Sequence, residues 1–152
     1  MKLKAVILIS VITSAFLFAS DKAQDKIPVF VKSAGNAGGF TDPSRDRQDS
    51  MKDLMKKLNN SDSVRLVESE KDGLAVLEVL GRDTKRERNA WGWENKSYLT
   101  VRLTAGEYSV EFTGESGSKG VLTGYGAAAE KVVKQLDAWV KANRDRLLAL
   151  KK

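Results

Sequence analysis

The chain has no cysteine and no histidine in 152 residues, and only two prolines. Without cysteine there is no disulfide framework to staple a small exported domain. There is also no thiol to carry a lipid, so we do not expect a bacterial lipoprotein. The missing histidine is more restrictive. It removes the commonest general base, the imidazole of Ser-His and Cys-His nucleophile systems, and the usual zinc and copper ligand. Any catalysis would rest on carboxylates, lysine or tyrosine, so we expect a non-catalytic protein with no catalytic residues, no metal site and no cofactor. Charge of one sign is not in large excess either. Lysine and arginine total 26 against 20 acidic residues. Without Lys2 and Lys4 the balance is 24 to 20, or +4, which favours solubility more than a polyanion partner.

The N-terminus is the most informative stretch that is present. Lys2 and Lys4 precede an uncharged run over residues 5–18, which ends in Ala19 and Ser20 before Asp21 and Lys22. A basic n-region, a short apolar h-region and small residues at its end describe a secretory signal peptide. We expect cleavage after Ala19 or Ser20, although Leu17 or Phe18 three positions before the cut is not ideal. The run falls short of the ~20 residues that span a bilayer. The expectation is therefore a signal peptide over residues 1–20 and one domain over 21–152. That domain would be exported to the periplasm or secreted by a bacterium, with no membrane span once the signal is removed.

The remaining ~132 residues suit one domain with a core of its own. Residues 27–32 (IPVFVK) read as a strand and residues 33–40 (SAGNAGGF) as a loop. Asp42 and Pro43 suit a helix N-cap and first position. Met51, Leu54, Met55 and Leu58 repeat at i, i+3, i+4 and i+7, so the second half of that helix should dock. Residues 64–68 form a short strand. Residues 74–80 (LAVLEVL) are the most continuous apolar run after the signal and should lie centrally in a sheet. A two-residue turn at Ala105 and Gly106 would pair Leu103 with Tyr108, Val101 with Val110 and Leu99 with Phe112. All six share one face, and Thr100, Arg102, Ser109 and Glu111 share the other. A long final helix starts at Gly126 or Ala127, with Ala129, Val132, Val133, Leu136, Trp139, Val140 and Asn143 as its inner stripe. The fold class expected is α+β: a four- to five-stranded antiparallel or mixed sheet with two helices packed on one face.

This order of elements, carried by residues 64–68, 74–81 and the terminal helix over 127–150, loosely resembles small exported α+β domains of bacterial envelope proteins. The amino-terminal domain of the Tol-system propeller protein is one example. The resemblance is one of outline, without a shared motif. It implies an envelope location and the fold, and no specific function.

Two glycine-rich stretches look like nucleotide sites and fail on spacing. Residues 114–120 (GESGSKG) place Lys119 before Gly120 and Val121 where a P-loop needs a hydroxyl. Residues 124–129 (GYGAAA) fit G-x-G-x-x-A, but no strand with an acidic residue follows the helix. Its small residues should instead let the helix approach the sheet closely. Asp42, Asp46, Asp49 and Asp53 share a helical face, but calcium prefers six to eight oxygens from a bent loop. Neighbouring lysines and arginines make this a solvated charged face.

Residues 82–96 (RDTKRERNAWGWENK) hold the candidate ligand-binding residues Trp91, Trp93, Arg86 and Arg88. In extended chain Trp91 and Trp93 point the same way, and indoles beside guanidinium groups can stack on sugar rings. The competing reading is that the pair caps the core while the charges solvate a protruding hairpin, and tryptophans are mostly buried on average. Nucleic acid is not expected, since the local net charge is only +2 and the protein is exported. The last helix, at ~37 Å, is longer than a five-stranded sheet is wide, so Leu147, Leu148 and Leu150 become candidates for a partner-binding contact.

Three functions are consistent with these residues. The first is an exported, non-catalytic domain that binds a protein or another cell-envelope component. The second is a glycan-binding module that uses the tryptophan pair on a basic hairpin. The third is a carboxylate-based hydrolase drawing on Glu78, Glu111 and Glu115, which nothing in the sequence pairs.

Overall fold

A computed structural model describes residues 26–38, 43–116 and 124–151. The expected signal peptide, Asp42 as a cap, and residues 117–120 of the glycine-rich stretch 114–120 lie outside the described residues. Ile27, Val29 and Val31 alternate along β1 (Ile27–Gly38) and bury one side of it. Residues 33–38 continue the strand, where a loop was expected. Their small side chains give no alternation to read, and Gly38 finds its partner, Gly81, only after a break in register.

Helix α1 (Pro43–Leu58) buries Leu54 and Leu58 fully and Met51 in part. Met55 is 39% exposed, at the margin of the buried line rather than on it. That line runs through Ser50, Leu54 and Leu58, at i, i+4 and i+8, and the polar Ser50 hides its start from a hydrophobic pattern. The helix is the crossover that lets β2 (Val64–Leu66) lie parallel to β1. A single 3₁₀ turn at Glu70–Asp72 leads to β3 (Ala75–Asn89), then β4 (Gly92–Ala105), β5 (Tyr108–Ser116) and helix α2 (Tyr125–Ala149). The strand order is β2-β1-β3-β4-β5, with β1 parallel to β2 and β3, and the rest antiparallel. The fold is therefore α+β, a five-stranded mixed sheet with two helices. The apolar run expected at the centre is there, in β3.

The β4–β5 hairpin keeps the expected faces but not the expected register. Ala105 pairs with Tyr108, Leu103 with Val110, Val101 with Phe112, and Leu99 with Gly114. The turn residues are Gly106 and Glu107. Gly106 has φ +56°, a left-handed conformation that glycine adopts without strain and alanine would not. Each residue thus meets a partner two positions beyond the expected one. A slip of two leaves every side chain on the same face, so alternation alone cannot detect it.

Between Val79 and Gly81 the β3–β4 ladder contains a bulge. Before it, the odd residues Ala75, Leu77 and Val79 face the core. After it, Arg82 stands opposite the buried Leu99, so the even residues of β3 take over the helix-covered side.

Helix α2 runs along β4 and β5 rather than across the sheet. Its first turns lie on Gly114, where a Cβ would come within 2.0 Å of the Ala128 carbonyl oxygen, and its last turn meets Gly106 through Leu150. Its end thus meets the β4–β5 turn, and the helix does not overhang the sheet. Leu147 is fully buried and Leu148 packs against the core; Leu150 is 37% exposed. This withdraws Leu147 as a partner-binding residue and leaves Leu148 mostly committed to the core. Ala128 and Ala129 are both fully buried, in line with the close approach expected of the small residues. Trp139 is half-buried rather than buried, edge-on to Phe112 at 6.4 Å between ring centroids.

The two helices are joined by Lys57, whose Nζ donates to Glu130 Oε2 at 2.9 Å, while Lys134 reaches the other oxygen at 3.0 Å. The hydrogen bond from Lys57, then that from Lys134, lowers the Glu130 pKa to about 2. A depressed carboxylate contributes stability above its ordinary range, and that contribution disappears as pH falls through the folded value. Thermal melts should therefore show a loss of stability between about pH 4.5 and 2 that Glu130→Gln reduces. An unchanged acid profile in the variant would show that this bridge contributes nothing.

Candidate functional site

Among the described residues, the last pair of β5 with β4 is Ser116 with Ser97, and the last pair of β1 with β3 is Gly38 with Gly81. Beyond those points, among the described residues, β3 and β4 pair only with each other, as a two-stranded ribbon out to Asn89 and Gly92, with Ala90 and Trp91 as the turn. This arm coincides with residues 82–96 and reaches about 15 Å past the third strand. A lone two-stranded ribbon is marginal in water, so its cross-strand contacts must hold it in shape.

The side of the ribbon away from the helices carries Asp83, Lys85 and Glu87 on β3, and Glu94, Lys96 and Tyr98 on β4. All but Asp83, which accepts from the Thr84 backbone N–H, engage one another. Tyr98 Oη donates to Glu87 at 2.5 Å, and Lys96 Nζ lies 2.9 Å from Glu87 and 3.9 Å from Glu94. Lys85 lies over the Tyr98 ring at 5.2 Å. The hydrogen bond from Tyr98, followed by that from Lys96, holds the Glu87 carboxyl below its usual pKa, and the same bonds raise Lys96 and Tyr98.

The helix side carries Arg82, Thr84, Arg86 and Arg88 opposite Leu99, Ser97, Asn95 and Trp93. No carboxylate stands on this side of the ribbon itself. At its root Arg82 pairs with Asp46 of α1 and stacks on the Tyr125 ring of α2 at 4.2 Å, and Tyr125 Oη is 2.7 Å from Thr84 Oγ1. The first turns of both helices are thereby clamped to the base of the arm. Farther out, the Arg86 guanidinium sits over the Trp93 indole at 5.3 Å. Trp93 is 61% exposed and Trp91, in the turn, 88%.

All four candidate ligand residues are therefore on one arm, and neither tryptophan caps the core. The expected pair of parallel indoles is not formed by strand alternation, because Trp91 belongs to the turn while Trp93 belongs to β4. Nothing in the sequence groups Asp46, Arg82 and Tyr125: Asp46 falls in a row of solvated carboxylates and Tyr125 in a glycine motif. The bulge that turns Arg82 towards both has no signature in the apolar run. Glu111 is held by Arg102 at 2.6 Å and Glu115 lies 3.9 Å from Lys131, so these two carboxylates are engaged separately. Among the described residues no group of three or more Asp or Glu side chains is placed to hold a metal ion. No helix there is long and apolar enough to cross a membrane.

The sequence matches no protein-family model and no curated protein. Solved bacterial structures are similar at low identity. A hypothetical protein from Chlamydia trachomatis shares 13% identity at a TM-score of 0.46, over 77% of this chain and 96% of that one. The PelC dodecamer from Paraburkholderia phytofirmans shares 15% at 0.44, over 74% and 86%. Uncharacterized lipoprotein B from Nitrosomonas europaea shares 13% at 0.42, over 82% and 88%. Likenesses of this size assign neither a family nor a function.

Proposed function

We propose that this protein is a non-catalytic binding domain of the bacterial cell envelope, exported by residues 1–20, whose contact surface is the β3–β4 arm. The observation that carries this reading is the exposure of Trp91 and Trp93 on a ribbon that stands off the core. Exposed indoles are costly to leave in water and are characteristic anchors at interfaces. The arm is also built to hold its shape unaided, through the Glu87, Lys96 and Tyr98 contacts on one side and Arg86 over Trp93 on the other. The absence of histidine and cysteine supports the non-catalytic half of the proposal.

Co-sedimentation of the purified protein with washed bacterial envelopes tests this. The parent should sediment, and the Trp91→Ala/Trp93→Ala variant should stay in solution while losing no more than about 1 kcal/mol of stability, the scale of one exposed cation–π contact. Equal sedimentation of both proteins would place the contact elsewhere. A loss of several kcal/mol would make the tryptophans structural.

A further inference from the structure

The two sides of the arm differ in charge as well as in contacts. Away from the helices, Lys85 and Lys96 face Asp83, Glu87 and Glu94, a local balance of −1, with Glu87 and Glu94 both engaged by Lys96, and Lys85 over the Tyr98 ring. On the helix side Arg82, Arg86 and Arg88 stand with Trp93, and among the described residues the carboxylate at hand is Asp46, which Arg82 engages. Arg88 makes no ion pair or ring contact among the described residues. The positive ends of both helix dipoles abut the root of this same side, through Asp46 in the first turn of α1 and Tyr125 at the start of α2.

Resting on the arm as the contact surface, we infer that its helix side binds an acidic glycan, a chain of uronic-acid type lying along Arg86, Arg88 and Trp93. A guanidinium offers two parallel N–H donors to a carboxylate. An indole offers a flat π face to the C–H face of a sugar ring. One ligand unit that carries both a carboxylate and an apolar ring face uses both groups at once, whereas an acidic peptide would use chiefly the arginines. Side-on contact follows from how the charges are distributed. The rung formed by Glu87 and Glu94 lies between those of Arg86 and Arg88. Tip-first insertion into an anionic lipid surface would bring the carboxylates in with the arginines; contact through the helix side leaves them behind.

The probe is polygalacturonate, titrated into the intact protein and followed by tryptophan fluorescence. Its methyl-esterified form serves as the uncharged counterpart, with polyglutamate and phosphatidylglycerol vesicles as other anions. We expect saturable binding of polygalacturonate that weakens with salt and is about tenfold or more weaker for the ester. Arg86→Gln/Arg88→Gln should lower affinity by about tenfold or more, and Arg88→Gln alone, which removes no contact within the arm, by severalfold. Lys85→Gln, on the opposite side, should change it less than about twofold. Equal losses from Lys85→Gln and Arg88→Gln would overturn the assignment to one side. Equal affinity for both polymers, untouched by the arginine variants, would replace the acidic glycan by a neutral one and leave the arm as the contact surface. Preference for polyglutamate or the vesicles would overturn the inference in favour of an acidic protein or lipid. Silence towards every probe, from a protein that still sediments with envelopes through Trp91 and Trp93, would overturn the glycan and spare the arm.

Discussion

Gly114→Ala should destabilise the fold by about 3 kcal/mol or more, among the largest costs of any single methyl group added to this protein. Gly114 pairs with Leu99 in β5, and its bare Cα is where the first turns of α2 touch the sheet. A Cβ there would sit 2.0 Å from the Ala128 carbonyl oxygen and 3.0 Å from Val132 Cγ2. The first obstacle is helix backbone, which cannot rotate away as a side chain can. The helix would have to lift, opening the contacts of Ala128, Ala129 and Val132, all fully buried. Gly126→Ala is the matched control. Its Cβ would meet nothing within 4 Å, and alanine is favoured over glycine inside a helix by up to about 1 kcal/mol. Urea melts of the two variants should move in opposite directions. A neutral Gly114→Ala would mean that α2 does not rest on β5 at this point.

Leu147→Ala should cost about 2–5 kcal/mol, whereas Leu150→Ala should cost about 1 kcal/mol or less. Three residues apart, the two leucines lie in different surroundings: Leu147 is fully buried and Leu150 is 37% exposed over Gly106. Truncating Leu147 leaves a cavity at the end of the core where α2 ends over the β4–β5 turn, and the helix backbone limits how far it can collapse. Deleting residues 147–152 should accordingly lower thermal stability sharply. Similar, small effects from both substitutions would restore a free helix end with leucines available to a partner.

How far the sequence could be read depends on which feature carried the signal. The apolar stripe of α2 repeats at helical spacing, and Val132, Val133, Leu136 and Val140 are buried as their spacing requires. The faces of the β4–β5 hairpin were equally legible, because alternation reports facing; its register was not, because a shift of two residues preserves facing. Comparing α2 with the width of the sheet suggested an overhang, and the helix instead lies along the strands. The exposure of Trp91 and Trp93 was not legible. Whether a strand pair stops at the sheet or continues as a free ribbon depends on where its neighbours β1 and β5 end. The bulge at Leu80 is also hidden, since the apolar run 74–80 gives no sign of which residue is extra. That single residue turns Arg82 to Asp46 and Tyr125, and sets Arg86 and Arg88 on one side with Trp93.

If the arm is where this protein meets the cell envelope, quenching of tryptophan fluorescence by acrylamide reads that contact most directly. Trp139 is half-buried against Phe112, so the Trp91→Ala/Trp93→Ala variant reports its quenching alone and supplies the background to subtract. In free protein Trp91 and Trp93 should quench freely. With washed envelopes present at saturating amounts, both should become protected while Trp139 is unchanged. Bound protein whose arm tryptophans quench as readily as before would contradict the account.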